Sequence, residues 1–326
     1  MSLKKAVGCI RKNKRFLLTA HINVEGDALG SELAFYRLLR KLKKKAVIVN
    51  ADTSFCDYSF MPGLSRIMQA KKKMRLPRFD VFVALDCSDI SRAGETQYIS
   101  QADKPVLNID HHISNTYFGS VNWIDTEASS TAEMVYRLFK VFKIPIDKES
   151  ALALYVGMLT DTGSFRYPNT TAKTHRAVAE LLSHRLNITQ IHKNIYGNIQ
   201  LADVQLITKV LAMLKSDLGG KMAWFSIPRK VLASRKNSTL DLTDHVLSFA
   251  RAIKGVEVAV LFKENIKPQD GIRVNLRSQG KVNVNAIARF FGGGGHRTAS
   301  GCTVQATLTH ARKAVLQRIR QALLKL

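Results

Sequence analysis

Four short apolar runs constrain the fold more than any other feature. They are Phe16–Ala20, Ala46–Asn50, Val81–Leu85 and Val106–Ile109. Stretches with helical periodicity lie between or after them. Ser31–Leu42 is apolar at Leu33, Tyr36, Leu38, Leu39 and Leu42, and Ser130–Val141 and Glu149–Leu159 also read as helices. Strands that are apolar on both sides and separated by helices belong to a parallel sheet covered on both faces. The chain has 326 residues, which is long for one core and ample for two. A polar helix around Leu201–Leu214 reads as a connector. Beyond it, near Lys221, a second unit begins. Its expected strands are Met222–Ile227, Val256–Phe262, Gly271–Leu276 and Cys302–Gln305, and its expected helices are Leu242–Ala252 and Val284–Phe291. The expected layout is an α/β catalytic domain over 1–195, a helical linker over 196–218 and a smaller α/β substrate-binding domain over 219–326. The active site is expected in the cleft between the domains.

Acidic and imidazole side chains cluster just past the ends of the runs, where open α/β sheets place their ligands. After the first run comes His21-Ile-Asn-Val-Glu25-Gly-Asp27, followed by a helix start at Ala28–Ser31. Such a segment also suits a capped turn. Asp86 follows Val81–Leu85, and its plain reading is a helix cap. Asp110-His111-His112 follows Val106–Ile109. Two adjacent imidazoles point in different directions, so one serves as a ligand and the other as a substrate contact or general acid. Asp110 can then orient a ring. Asp161 follows the apolar stretch Ala151–Leu159. Together His21, Glu25, Asp27, Asp86, His111 and Asp161 are six candidate metal ligands. Carboxylates mixed with imidazole favour Mn²⁺ or Mg²⁺ over a thiolate zinc site. Two such ions can activate water and steady the leaving oxygen of a phosphoester. In the second half, Gly292–Gly295 precedes His296 and Arg297, in a unit that also bears Arg273 and Arg277. Glycines let backbone amides approach an anion, so this segment reads as phosphate-binding.

Charge agrees with an anionic substrate. Fifty Lys and Arg against 25 Asp and Glu give a formal net charge of +25. The clusters at Arg11–Arg15, Arg40–Lys45, Lys71–Arg78 and Arg312–Lys325 read mainly as solvated helix faces. Cys9, Cys56, Cys87 and Cys302 are isolated, which argues against structural zinc. Isolated cysteines, with no signal-like or membrane-length apolar run, lead to the expectation of a soluble cytoplasmic protein.

In this order the five segments resemble the DHH phosphoesterase family. Gly292–Gly301 (GGGGHRTASG) and Arg277-Ser278 are similar to the signature of its DHHA1 subgroup. Within it the chain most resembles the nanoRNase/pAp phosphatase (NrnA-like) type, and the resemblance covers nearly the whole chain. It implies one metal held by His21, Glu25 and Asp86, and a second held by Asp27, Asp86, His111 and Asp161, with Asp86 bridging. It implies that His112 faces the substrate, with Asp86 and Asp110 completing the catalytic set. Arg277, Ser278, Gly293, Gly294, Gly295 and His296 are implied to hold the substrate. Two divalent ions are implied, Mn²⁺ first, with Mg²⁺ or Co²⁺ as alternatives. The implied reactions are hydrolysis of short RNA to mononucleotides and of 3′-phosphoadenosine 5′-phosphate (pAp) to AMP, extending to linear dinucleotides such as pApA. The expected partners are short single-stranded RNA or DNA or small nucleotides, without a membrane, in a chain that can form a homodimer. One position departs from the family pattern: Glu25 stands where Asp is usual, and its extra methylene changes how the first ion sits.

Two rivals remain open on sequence. Ser234-Arg235-Lys236 is similar to a motif of family II inorganic pyrophosphatases. The large positive charge would also suit a non-catalytic single-strand nucleic-acid-binding protein. A RecJ-type exonuclease on long substrates fits less well, because the remaining length has no room for an extra OB-like domain.

Overall fold

The computed structural model describes residues 2–53, 55, 58–71, 74, 76–101, 104–197, 199–233, 242–265 and 271–326. It divides into two compact units, Met1–Asn198 and Ile199–Leu326.

The first unit runs α1 (Leu3–Lys12), β1 (Arg15–Thr19), α2 (Gly26–Lys41), β2 (Lys45–Asn50), β3 (Ile67–Gln69), β4 (Val81–Leu85), β5 (Val106–Asp110), β6 (Val121–Ile124), α3 (Thr131–Val141), α4 (Lys148–Asp161), α5 (Ala172–Leu182) and α6 (Ile188–Tyr196). The strands form one sheet in the order β3-β2-β1-β4-β5-β6. Every pairing in it is parallel. This order changes direction between β1 and β4, and such a switch point opens a crevice past the strands' carboxyl ends. Alternate residues supply the two faces. Phe16, Leu18, Val81 and Val83 join the larger core with α1 to α6, while Leu17, Phe82 and Ala84 join a smaller one with Cys87 and Ala93. Helical cover is thus present on both faces but is of two kinds. The smaller core lies under 3-10 turns over Ile90–Gln101, which kink at Gly94 (φ 60). A Cβ on Gly94 would lie 2.6 Å from Ile22 Cγ2, so glycine lets this cover close over the loop after β1.

The expected runs became strands at their expected places. Several boundaries moved, and the moves matter. Helix α2 begins at Gly26, not at Ala28–Ser31, so Asp27 stands on its first turn. Asp161 is the last residue of α4 instead of following it. Asp110 closes β5. The pattern reading missed β3 and β6, whose short runs carry exposed or polar residues at the sheet edges.

The second unit runs α7 (Leu201–Leu211), β7 (Lys215–Asp217), β8 (Met222–Ile227), α8 (Arg229–Ala233), α9 (Leu242–Ala252), β9 (Val258–Glu264), β10 (Ile272–Ser278), α10 (Val284–Phe290), β11 (Gly294–Gly295), β12 (Ala299–Val304) and α11 (Leu308–Leu323). Its sheet is mixed, in the order β11-β12-β10-β9-β8-β7, with β8 and β9 parallel and the other pairs antiparallel. Val258, Val260 and Phe262 face a core shared with α10 and α11, and Ala259 and Leu261 face one shared with α7 and α9. The helix read as a connector therefore buries Leu206, Ile207 and Val210 in this unit's core. In α11, Ala311, Val315, Leu316, Ile319 and Leu323 turn inward, so the C-terminal basic run lies on the helix's other face. Among the described residues no helix is long and apolar enough to cross a membrane.

The most extensive helix packing in the first unit is between α2 and α4. A Cβ on Gly30 would lie 2.3 Å from the Ala153 carbonyl oxygen, and one on Gly26 would lie 2.5 Å from Thr160 Oγ1. Helix propensity alone predicts that Gly30→Ala stabilises by up to ~1 kcal/mol. The backbone clash predicts the opposite sign, a loss on the order of 2 kcal/mol. Urea denaturation reads the sign directly, and a stabilised variant would refute the close packing.

Candidate metal centre

Three elements deliver carboxylates to one buried place. Asp27 comes from the first turn of α2, Asp86 from the residue after β4, and Asp161 from the last turn of α4. Asp86 takes a left-handed backbone (φ 55), a conformation that costs energy outside glycine and tends to be kept where function needs it. Its amide still donates to the Ile109 carbonyl at 3.0 Å, which extends the sheet by one step.

The two oxygens of Asp86 serve different partners. Oδ2 lies 3.5 Å from His21 Nε2, while Oδ1 lies 3.6 Å from both His111 Nε2 and His112 Nδ1. His111 Nε2 also lies 3.5 Å from Asp161 Oδ2 and 3.8 Å from Asp27 Oδ2. These separations exceed a good N–H···O hydrogen bond. They suit donors grouped about a cation, since ligand atoms about 2.1 Å from one ion lie roughly 3–3.5 Å apart. Donor atoms of Asp27, Asp86 and His111 fall within 4.8 Å of one another, as do those of Asp86, Asp110 and His112.

The tautomers support the same reading. Carbonyl oxygens only accept, so His21 Nδ1 donates to the Ile22 carbonyl at 2.6 Å and His111 Nδ1 donates to that of Ala128 at 3.2 Å. In a neutral ring each Nε2 then presents a lone pair toward carboxylates. Only a proton or a metal ion between them makes that favourable. The residues present therefore fit divalent ions, and the hard oxygen donors with imidazole suit Mn²⁺ or Mg²⁺.

Charge crowding appears in the titration of each group. Burial, with the negative charges of Asp86 and Asp161, raises the Asp27 carboxyl well above its usual range. Burial pushes Asp161 up to about 6, against the pull of His111. Burial also opposes ionisation of Asp86, yet the His21 ring 3.5 Å away, with the charges of His112 and His111, holds it below the usual range. Burial draws His111 down, but Asp161, Asp86, Asp27 and Asp110 outweigh it and push the ring up to about 9.

Helix α3 relieves part of this crowding. Thr131 N donates to Asp27 Oδ2 at 2.7 Å, and Ala132 N donates to Oδ1 at 2.8 Å. These are N-terminal amides at the positive end of the helix dipole. Thr131 Oγ1 donates to Asp86 Oδ1 at 3.1 Å. Sequence reading missed this support, although Ser130 and Glu133 form the S-x-x-E pattern that marks a helix start. It also missed Asn115, whose Nδ2 donates to Asp110 Oδ2 at 2.7 Å, and nothing local in the sequence pointed to it. A third unanticipated group is the buried Glu32, which burial pushes up to about 8 and which accepts from Asn50 Nδ2 at 2.8 Å.

The two imidazoles of the triplet diverge, with ring planes 68° apart. His112 Nδ1 bonds Asp110 Oδ1 at 2.7 Å, so this ring is tied to Asp110 while His111 faces the carboxylates. Glu25 stands apart from the buried groups. It is exposed at the N-cap of α2, and its charge reaches His21 and Asp161.

In the second unit, Arg277 and Ser278 close β10, and Arg277 pairs across the sheet with Ala299. Ser278 is buried and donates to the Val282 carbonyl at 2.8 Å. The glycine run differs from an open cradle of amides. Gly292, Gly293 and His296 amides donate to the Arg289, Ala288 and Ala299 carbonyls, and Gly294 and Gly295 form β11. Close packing explains two of the glycines. A Cβ on Gly293 would lie 2.2 Å from the Gly301 carbonyl oxygen, and Gly295 has φ 135 with only 2.6 Å available before the Ala299 carbonyl. Ser234-Arg235-Lys236 lies outside the described residues.

The chain is similar to known proteins over most of its length. Residues 15–158 match the model of the DHH family N-terminal domain, and residues 229–325 match that of the DHHA1 domain. A Thermus thermophilus protein named bifunctional oligoribonuclease and PAP phosphatase NrnA is 31% identical over 307 residues, covering 94% of this chain and 89% of that protein. The Bacillus subtilis protein of the same name is 28% identical over 291 residues, with 88% of each chain covered. The crystal structure of an exopolyphosphatase-related protein from Bacteroides fragilis superposes with a TM-score of 0.84 at 26% identity, covering 99% of this chain and 95% of that one.

A stability measurement tests the crowding. Asp161 titrates at about 6 in the fold against an ordinary 3.8, so between these values the metal-free folded state binds more protons than the unfolded state. The contribution of Asp161 to stability therefore falls as pH rises through that window. Asp161→Asn removes this term. In EDTA its melting temperature should gain on wild type between about pH 4 and about pH 7. Parallel pH profiles for the two proteins would contradict a crowded Asp161.

Proposed function

The chain belongs to the DHH phosphoesterases that carry a C-terminal DHHA1 domain, and from that premise we propose that it hydrolyses short oligonucleotides to mononucleotides and pAp to AMP. It is a hydrolytic phosphoesterase. The activities named for its T. thermophilus and B. subtilis relatives support this substrate range. One observation carries the two-metal reading: a single carboxylate, Asp86, turns one oxygen to His21 and the other to His111 and His112.

In this proposal His21, Glu25 and Asp86 would hold one divalent ion, and Asp27, Asp86, His111 and Asp161 the other, with Mn²⁺ favoured by the donor set. When bound, the ions supply a water reactive at neutral pH and positive charge for the phosphoryl oxygens. His112 contacts the phosphate or its leaving oxygen through the ring edge opposite Nδ1. Asp110 fixes that ring by its 2.7 Å hydrogen bond, and Asn115 fixes Asp110 in turn. Thr131 and the α3 amides orient Asp86 and Asp27. Arg277 and His296 are the proposed grip on the substrate's phosphate, with Ser278 and Gly293 to Gly295 shaping the strands that carry them. The proposal extends to action in the cytoplasm and to a homodimer.

The test is a hydrolysis panel with Mn²⁺ or EDTA, using a dinucleotide, pAp and pyrophosphate. Wild type should hydrolyse the first two with Mn²⁺ only, and Asp86→Ala should lose about a hundredfold or more in rate. Equal rates for wild type and Asp86→Ala, or a preference for pyrophosphate, would overturn the reading.

A further inference from the structure

Arg92 belongs to none of the groups above, yet the fold secures it against the metal centre. Its carbonyl accepts the Ile22 amide at 2.7 Å, so its backbone is bonded to the residue after His21. Its own amide donates to the Asp89 carbonyl at 3.1 Å. The half-buried side chain turns toward Ser88, two residues beyond Asp86, with Nη1 3.4 Å from Ser88 Oγ. Ser88 is itself buried, and its carbonyl accepts the Thr116 amide from the loop after His112 at 2.8 Å. The charge of Arg92 reaches the His21 ring, Cys87 and Asp89.

This guanidinium is not committed to a structural ion pair among the described residues. Asp89, the nearest acid in sequence, accepts instead from Ser91 N and Oγ at 2.9 and 2.6 Å and from Thr116 Oγ1 at 3.0 Å. A cation beside a metal ligand disfavours the metal unless an anion joins them. Glu25, Asp27, Asp86, Asp110 and Asp161 carry five negative charges when ionised, one more than two divalent ions balance. A phosphate arriving at such a centre adds negative charge that nothing in it offsets. Arg92 offers that charge in a planar fork suited to phosphate oxygens.

We propose that Arg92 is a substrate-phosphate contact of the first unit, held beside the His21–Asp86 pair by Ser88. It adds a guanidinium to the grip already assigned to Arg277 and His296. The inference rests on the two-metal reading above.

Arg92→Ala, Arg92→Lys and Ser88→Ala test it through three readouts: dinucleotide hydrolysis with Mn²⁺, calorimetric binding of AMP to the Mn²⁺-loaded protein, and Mn²⁺ binding without nucleotide. In Arg92→Ala, kcat/KM should fall about a hundredfold and AMP affinity about tenfold or more. Arg92→Lys should recover only part, because a lysine lacks the fork, and Ser88→Ala should lie between wild type and Arg92→Ala. Mn²⁺ should bind at least as tightly, since a cation beside His21 has been removed. AMP affinity within twofold of wild type, or weaker Mn²⁺ binding, would overturn the proposal and leave Arg92 a structural brace. If wild type hydrolyses nothing yet binds AMP through Arg92, the phosphoesterase reading fails while this contact stands. If wild type neither hydrolyses nor binds AMP, both fail.

Discussion

The convergence of Asp27, Asp86 and Asp161 on His111 is the constraint that the first unit serves. Three carboxylates around one imidazole, Asp27 and Asp86 buried and Asp161 half-buried, repel one another, and burial raises the energy of their charges. The fold answers with fixed dipoles, imidazoles and room for cations. The α3 amides meet both oxygens of Asp27, Thr131 meets Asp86, and two rings turn their Nε2 atoms inward. The remaining negative charge is what divalent ions would neutralise at these donor groups.

Small residues make that convergence possible. Asp27 on α2 and Asp161 on α4 meet because these helices approach almost to backbone contact at Gly26, Gly30 and Gly157. A Cβ on Gly157 would lie 2.5 Å from the Ala132 Cβ and 2.9 Å from Asp27 Oδ1, so the same glycine seats α3 against the pair. Packing and chemistry are one problem here. Side chains that would improve helix propensity would separate the ligands. Asp86 shows the same trade in its backbone, where a left-handed conformation at the end of β4 aims one carboxylate at His21 and His111 together.

In the second unit, glycine serves packing more than ligand approach. The run at 292–295 was read as bare amides for an anion, but three amides of the 292–296 stretch already donate to carbonyls within the unit. Composition could not distinguish these uses, because a close strand crossing and a phosphate cradle both exclude a Cβ. Charged side chains are left as the candidate contacts, Arg277 and His296 in this unit and Arg92 in the first.

Much of the first unit was legible in the sequence because its signals are local. Runs such as Val81–Leu85 declare a strand buried on both faces, and the residue after a parallel strand must emerge at the sheet's carboxyl end. That fixed the parallel α/β class and brought His21, Asp86 and His111 into view as candidates, while Asp161 came into view at the end of a long apolar helical stretch. It could not decide how their side chains meet. Whether Asp27 reaches Asp161 depends on the distance between two helices far apart in sequence. Whether Asp86 bridges depends on one backbone dihedral. The support from Thr131 and Asn115, the exposed position of Glu25 and the placement of Arg92 each depend on contacts between distant segments. Periodicity records which residues are buried, whereas tertiary packing alone sets which buried charges become neighbours.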